Sequence, residues 1–226
     1  NAINPNNKIA LGTGAGTGSN GTANVMIGAY ANSPEAGRTN GVAITASDVV
    51  AIGNRALATK GSAIAIGQRT DATGNIAIAI GAGAAASANY AIAQGYATQA
   101  TGISSIAIGG AQNVPNQTRA TSDYATAIGF AANAGASGAI AIGRHANHDI
   151  KSTATTSAGR SKTTGADSIA IGTDTHAEGE SALAIGKGAQ ATAKNAISIG
   201  VGNVVSGANS GALGDPSYIT GTGTYT

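Results

Sequence analysis

The chain has very few of the side chains from which compact domains build their cores. Its 226 residues include no Cys, no Trp, one Phe and one Met, and only 10% of them are charged. A core of Ile and Ala without aromatic side chains cannot fill the thick interior of a β-sandwich or an α/β domain. It can fill a thin interior, so the composition favours a narrow fold.

Strong charge and long apolar runs are missing as well. A net charge of +2 gives no nucleic-acid signal, and no signal peptide or twenty-residue apolar run is present. The 35 Gly residues follow no three-residue period, which excludes collagen. The chain begins at Asn1 and Ala2, so we expect a processed or excised fragment.

A fourteen-residue repeat organises the chain. Its signature is Ile-Ala-Ile-Gly, and eight of the twelve spacings between successive signature glycines are fourteen residues. We call these residues the anchor glycines: Gly12, Gly28, Gly53, Gly67, Gly81, Gly95, Gly109, Gly129, Gly143, Gly172, Gly186, Gly200 and Gly214. A regular period of this kind predicts a solenoid.

Each unit alternates between branched and small side chains. Large aliphatic residues stand one and three positions before nearly every anchor glycine, with Ala or Ser between them. A period of two with Gly punctuation predicts strands rather than helices. Two short strands and two tight turns account for fourteen residues, so we predict an all-β, parallel β-roll of two-strand coils.

The alternation also predicts which residues fill the roll and which lie outside it. We expect the isoleucines to form the roll core: Ile64, Ile66, Ile78, Ile80, Ile106, Ile108, Ile140, Ile142, Ile169 and Ile171. We expect the alanines between them to form a flat outer face that packs against other copies of the chain: Ala65, Ala79, Ala107, Ala141, Ala170 and Ala184. Large exposed apolar strips usually mark interfaces.

Three inserts interrupt the period, near residues 34–48, 113–120 and 146–165, within a single domain spanning 1–226. Inserts in solenoids map to protruding loops, although 146–165 can also be a degenerate coil. Six basic residues in or beside the inserts are candidate ligand contacts: Arg38, Arg119, Arg144, Lys151, Arg160 and Lys162. A solvated loop is the plainer interpretation of these charges.

Catalytic and metal-binding patterns are absent from the sequence. His145 and His148 stand three residues apart, but they do not converge at strand or loop spacing, and no third ligand is evident. The chain has no Cys nucleophile, no P-loop and no Gly-x-Ser-x-Gly elbow with triad partners. We therefore predict no enzyme activity, no catalytic residue, no cofactor and no metal.

Several units, such as Ser62 to Gly67, Ser104 to Gly109 and Asn195 to Gly200, carry the repeat most clearly. They resemble the Asn-Ser-Val-Ala-Ile-Gly repeat of YadA-like heads in trimeric autotransporter adhesins of Gram-negative bacteria. The inserts are similar to those of the Moraxella ubiquitous surface protein group, and residues 215–226 resemble the approach to a neck.

The resemblance implies a left-handed parallel β-roll and a side-by-side homotrimer at the bacterial cell surface. Contact with the outer membrane would be only through a C-terminal anchor outside this chain. It also implies adhesion to host extracellular-matrix or cell-surface proteins of the fibronectin, laminin and collagen class, and virulence in host–pathogen interaction.

Three other functions stay open at this point. A structural spacer would lift another binding domain from the cell. A left-handed β-helix acyltransferase would need a six-residue period, which does not divide fourteen. An ice-binding solenoid would need a ladder of Thr at one register. Thr70, Thr98 and Thr175 share a register, but Ala occupies it in most coils.

Overall fold

The computed structural model describes residues 3–4, 7–34, 44–110, 117–146, 165–214 and 216–226. The chain divides into two compact units, Asn1–Ser105 and Ile106–Thr226. The strands of the first unit are β1 (Ile3–Asn4), β2 (Lys8–Leu11), β3 (Val25–Ile27), β4 (Val50–Ile52), β5 (Leu57–Ala58), β6 (Ile64–Ile66), β7 (Asp71–Ala72), β8 (Ile78–Ile80), β9 (Ala85–Ala86), β10 (Ile92–Gln94) and β11 (Gln99–Ala100).

The second unit repeats the same alternation of longer and shorter strands. They are β12 (Ile106–Ile108), β13 (Arg119–Ala120), β14 (Thr126–Ile128), β15 (Asn133–Ala134), β16 (Ile140–Ile142), β17 (Ile169–Ile171), β18 (His176–Ala177), β19 (Leu183–Ile185), β20 (Gln190–Ala191), β21 (Ile197–Gly200), β22 (Val204–Val205), β23 (Gly211–Gly214) and β24 (Tyr218–Ile219).

Stacked coils produce the fourteen-residue period. In the first unit Ile64 pairs with Ile78, one coil along, and Leu57 pairs with Asp71 in the second sheet. Apart from the antiparallel pair β1–β2, the paired strands of the described residues run parallel. The predicted all-β solenoid of parallel coils is confirmed, with about 13 turns. Its handedness, its trimeric assembly and the single domain over 1–226 stay predictions.

The anchor glycine allows the coils to stack closely. Gly67 has φ +134°, a region that L side chains rarely adopt, and a Cβ there would lie 2.7 Å from the carbonyl carbon of Gly81. Gly81 has φ +122° and faces Gly95 in the same way. Only Gly meets both the backbone angle and the lack of space.

The predicted assignment of the two strand faces was wrong. The six alanines placed at the trimer interface are all 0% exposed in the single chain, so their side chains lie inside the roll and cannot contact another copy. Small residues on the second strand, such as Ala58, Ala72 and Ala86, are equally buried and face them across the interior. The core is therefore built from alanine.

The ten isoleucines predicted for the core lie on the outer side of the first strand. Nine of them are partly exposed, and Ile171 is 37% exposed. The physical reason is the width of the roll: apart from Met26, no fully buried side chain among the described residues is larger than Val or Asn. Met26 fits because it lies over Gly16, where a Cβ would come within 2.7 Å of its terminal methyl carbon.

Two left-handed turns close most of the described coils. One is five residues before the anchor glycine and the other two residues after it. Asn195, Asn209 and Asp167 occupy the first turn in the second unit, where their short polar side chains tolerate positive φ. Ile76 occupies it in the first unit with φ 55°, an unfavourable conformation for a β-branched residue.

The inserts do not add a rung to the sheet of first strands. Val25 pairs with Val50 across the first insert, Ile106 with Thr126 across the second, and Ile140 with Ile169 across the third. No first-strand rung therefore lies between β16 and β17, and the choice between an insert and a degenerate coil near 146–165 falls on residues outside the described ones. Residues 35–43, 111–116 and 147–164, which hold most of the inserts, lie outside the described residues.

Candidate assembly and binding surfaces

In each unit the outer side of the first strands carries two apolar rows, which together we call the isoleucine face. It comprises the residues three and one positions before each anchor glycine. In the first unit these are Ile9, Leu11, Val25, Ile27, Val50, Ile52, Ile64, Ile66, Ile78, Ile80, Ile92 and Gln94. In the second unit they are Ile106, Ile108, Thr126, Ile128, Ile140, Ile142, Ile169, Ile171, Leu183, Ile185, Ile197, Ile199, Gly211 and Leu213.

This face is apolar, uncharged and unburied within the single chain. All but three of its positions are Ile, Leu or Val, and none is Asp, Glu, Lys or Arg. Most of its side chains are partly exposed, and exposure reaches 72% at Leu213, 47% at Ile9 and 40% at Ile197. Contiguous apolar surface of this kind marks a protein interface rather than a water-facing sheet.

The three departures within the isoleucine face have different surroundings. Gly211 makes room for an aromatic ring, because a Cβ there would lie 3.0 Å from Cδ1 of Tyr225. Thr126 stays in the parallel ladder between Ile106 and Ile140. Gln94 is exposed and pairs through its backbone with Ile80. None of the three breaks the ladder.

The outer side of the second strands is chemically different, and we call it the second-strand face. Its first row lies at the start of each two-residue strand and varies widely in type: Leu57, Asp71, Ala85, Gln99, Arg119, Asn133, His176, Gln190, Val204 and Tyr218. Most of these side chains are partly exposed. The face therefore differs from coil to coil, which the isoleucine face does not.

A hydroxyl row runs beside it, directly after each second strand. Eight of the ten described coils carry Thr or Ser there, and none of these eight is buried: Thr59, Thr73, Ser87, Thr101, Thr121, Thr192, Ser206 and Thr220. The Thr59 amide donates to the Ala72 carbonyl at 3.1 Å, and the Thr73 amide to Ala86 at 3.0 Å. Sequence analysis missed this row, although a count at six residues after the anchor glycine reveals most of it.

Two of the six predicted ligand contacts lie in described residues. Arg119 begins β13 and is partly buried, and this burial lowers the pKa of its guanidinium from the usual value. Arg144 lies in a turn, exposed, with Nη2 3.8 Å from Oδ2 of Asp174. Arg38, Lys151, Arg160 and Lys162 lie outside the described residues.

The histidines do not converge on a common site within the described residues. Nδ1 of His145 lies 3.2 Å from Oδ1 of Asp174, and its ring contacts that of Phe130 at a centroid distance of 5.5 Å. His176 is nearly buried, with Nδ1 3.6 Å from Oε1 of Glu178. No group of three metal-ligating side chains occurs in the described part of the chain. His148 lies outside it.

The threonines considered for ice binding face the interior. Thr70, Thr98 and Thr175 are all 0% exposed. Thr70 donates its hydroxyl to the carbonyl of Gly81 at 2.8 Å, and Thr98 to that of Gly95 at 3.1 Å. These hydroxyls satisfy anchor-glycine carbonyls and present no surface to ice.

A comparison with known families matches this geometry. The model of the YadA head domain repeat, which holds two copies of the repeat, matches residues 50–70, 58–84, 86–111, 120–146, 164–189 and 191–215. These matches cover more than half of the chain. A search of curated proteins found no match. In the described residues no helix has the length and hydropathy needed to span a membrane.

The matched segments contain the anchor glycines, the buried alanines and the isoleucine face of the coils between residues 50 and 215. The same residues that shape the narrow core therefore carry the family signature. The chain belongs to the YadA head domain family, and its fold is that of an adhesin-type head.

Proposed function

We propose that this chain is the head of a bacterial surface adhesin, in which three copies pack through the isoleucine face and bind host proteins with the outward surfaces. The observation that carries the assembly is the uncharged, partly exposed apolar stripe on the first strands. Family membership supports the number of copies, since YadA-family heads are typically homotrimeric. The proposal gives the chain a binding role and no catalytic one.

The energetics favour assembly of the isoleucine face. Completing the burial of one partly exposed Ile stabilises an interface by up to about 1 kcal/mol. The face has 26 positions per chain, 23 of them aliphatic, so the summed contribution exceeds the usual entropic cost of association. The alanine core contributes little per residue, because an Ala side chain buries a single methyl group. Assembly therefore supplies stability that a lone roll lacks.

We propose that ligand binding uses the second-strand face and the three inserts. Arg119 begins the second strand β13, and Arg144 lies exposed in the turn after the first strand β16. Three identical copies would give three equivalent ligand surfaces, and multivalency can compensate for weak single contacts. The proposed ligands are host matrix or cell-surface proteins of the fibronectin, laminin and collagen class. The chain would reach them as part of a protein anchored in the bacterial outer membrane.

The binding proposal is tested with the purified chain on immobilised fibronectin, laminin and collagen. One variant replaces residues 35–43, 111–116 and 147–164 by short Gly-Ser linkers, and a second carries Arg119→Ala and Arg144→Ala. We expect wild type to bind at least one matrix protein. We expect the linker variant to bind about tenfold more weakly, a loss of about 1.4 kcal/mol.

Direct pairing of the coils on either side of each insert makes the linker variant a fair comparison. Sedimentation and circular dichroism must show that it assembles and folds as wild type does. Wild-type protein that assembles but binds none of the three ligands would contradict the adhesin proposal and favour the spacer.

A further inference from the structure

The isoleucine face leaves one problem unsolved, namely which coil of one chain faces which coil of the next. From Val50 to Ile80 the rungs of the first unit are almost identical Ile or Val pairs. Moving one chain along another by one rung, about 4.8 Å, again places aliphatic residues against aliphatic residues. The apolar rows favour association but do not discriminate between registers.

Gln94 is the one polar side chain among the twelve positions of this face in the first unit. It ends β10, is exposed, and extends on the same side as Ile92. One rung below, its ladder partner is Ile80. The repeat places Ile or Leu at this position in the other coils, so Gln94 interrupts an otherwise apolar row.

We infer that Gln94 fixes the axial register of the assembled head; this rests on the proposed packing of copies through the isoleucine face. With the chains in register, the three carboxamides lie at one level, and each can donate to and accept from a neighbour. A slip by one rung places each amide against an Ile layer, where its hydrogen bonds are lost. A single buried amide sets register in coiled coils by the same physics, with a loss of stability.

Disulfide trapping tests the inference, because the chain has no Cys of its own. Chains carrying Ile80→Cys report the matched register through an 80–80 disulfide. Differently tagged chains carrying Ile66→Cys, co-refolded with them, report a one-rung slip through a 66–80 disulfide. A disulfide forms only when the two Cα atoms lie about 4.4–6.8 Å apart, so a shift of about 4.8 Å is distinguishable.

With Gln94 present we expect matched disulfides to exceed slipped ones by at least about tenfold. In Gln94→Ile the ratio should fall toward one, and the thermal midpoint should rise, since an apolar residue replaces a buried amide. Gln94→Asn retains an amide and should keep the matched register. The double variant Gln94→Ile with Ile80→Gln moves the polar layer down by one rung and should restore a high ratio of matched to slipped disulfides. Cys at position 66 then reports the matched register through a 66–66 disulfide, and Cys at position 52 reports a one-rung slip through a 52–66 disulfide.

A Gln94→Ile protein that keeps the wild-type disulfide ratio would overturn the inference while leaving the assembly intact. A wild-type chain that sediments as a monomer would instead overturn the proposed packing itself. The two failures are therefore separable.

Discussion

The isoleucine face and the second-strand face belong to the same coils but differ in how uniform they are. Of the 26 positions on the isoleucine face, 23 are Ile, Leu or Val. The first row of the second-strand face, by contrast, varies in residue type and includes Asp71, Ala85, Gln99 and Arg119. The three inserts leave the first-strand ladder uninterrupted. A face that must pack against copies of itself tolerates little variation, whereas a face directed at solvent and ligands can change coil by coil.

We expect the largest loss in the free energy of unfolding when a charged residue replaces an inward-facing residue of a second strand. Ala86 is 0% exposed, and its neighbour Ala85 on the same strand is partly exposed on the second-strand face. Ala86→Lys would bury a charge with no partner in the alanine core and should destabilise the fold by about 3–5 kcal/mol. Chemical denaturation followed by circular dichroism measures the loss.

Ala85→Lys is the matched control for that change, because it introduces the same charge one residue away. We expect a change of less than about 0.5 kcal/mol there, as for most surface substitutions. Equal losses at the two positions would mean that the strand has no inner and outer side.

A smaller effect is expected at the glycine that closes the first strand. Gly81→Ala would require φ near +122° and would place a Cβ 2.7 Å from the carbonyl carbon of Gly95. Backbone strain and displacement of the next coil should reduce the free energy of unfolding by about 3 kcal/mol.

Gly83→Ala separates the two causes of that loss. Gly83 also has positive φ, +69°, but a Cβ there would meet nothing closer than 3.9 Å, and neighbouring coils place Arg69 and Ala97 at the equivalent position. We expect a loss of about 1 kcal/mol. If Gly81→Ala were equally mild, close coil stacking would not explain the anchor glycine.

The smallest expected effect is an increase in the free energy of unfolding, from a substitution in the turn before a first strand. Ile76 has φ 55°, and Asn occupies the equivalent turn position at Asn195 and Asn209. Ile76→Asn should stabilise the fold by about 1 kcal/mol, which raises the thermal midpoint by about 2–4 °C. Ile103→Asn is the control, because Ile103 is similarly exposed but has no positive φ.

The period, the parallel stacking and the turn glycines were predictable from sequence, because each follows from the spacing of residues close together in the chain, such as Ile64, Ile66 and Gly67. Alternation separates two faces of a strand but does not tell which one is inside. That choice depends on how closely the two strand layers approach, a property of residues far apart in the chain. Here the interior accepts Ala58 and Ala65, and the larger Ile64 and Ile66 remain outside.

The candidate site was less predictable for a related reason. Arg119 and Arg144 were identifiable as basic residues near inserts, but the partial burial of one and the position of the other beside Asp174 depend on neighbouring coils. Thr70 and Thr98 show the same limit. Their shared register was visible in sequence, whereas their burial against anchor-glycine carbonyls was not.

The central claim is that the isoleucines face other chains and the alanines face inward. Sedimentation equilibrium of wild type beside Ile80→Lys tests it most directly, since Ile80 is only partly buried in the single chain and the substitution adds a charge to the isoleucine face. We predict a wild-type mass three times the 21.5 kDa of the chain and a folded Ile80→Lys protein of lower mass. A wild-type monomer, or an Ile80→Lys protein with the wild-type mass, would contradict the account.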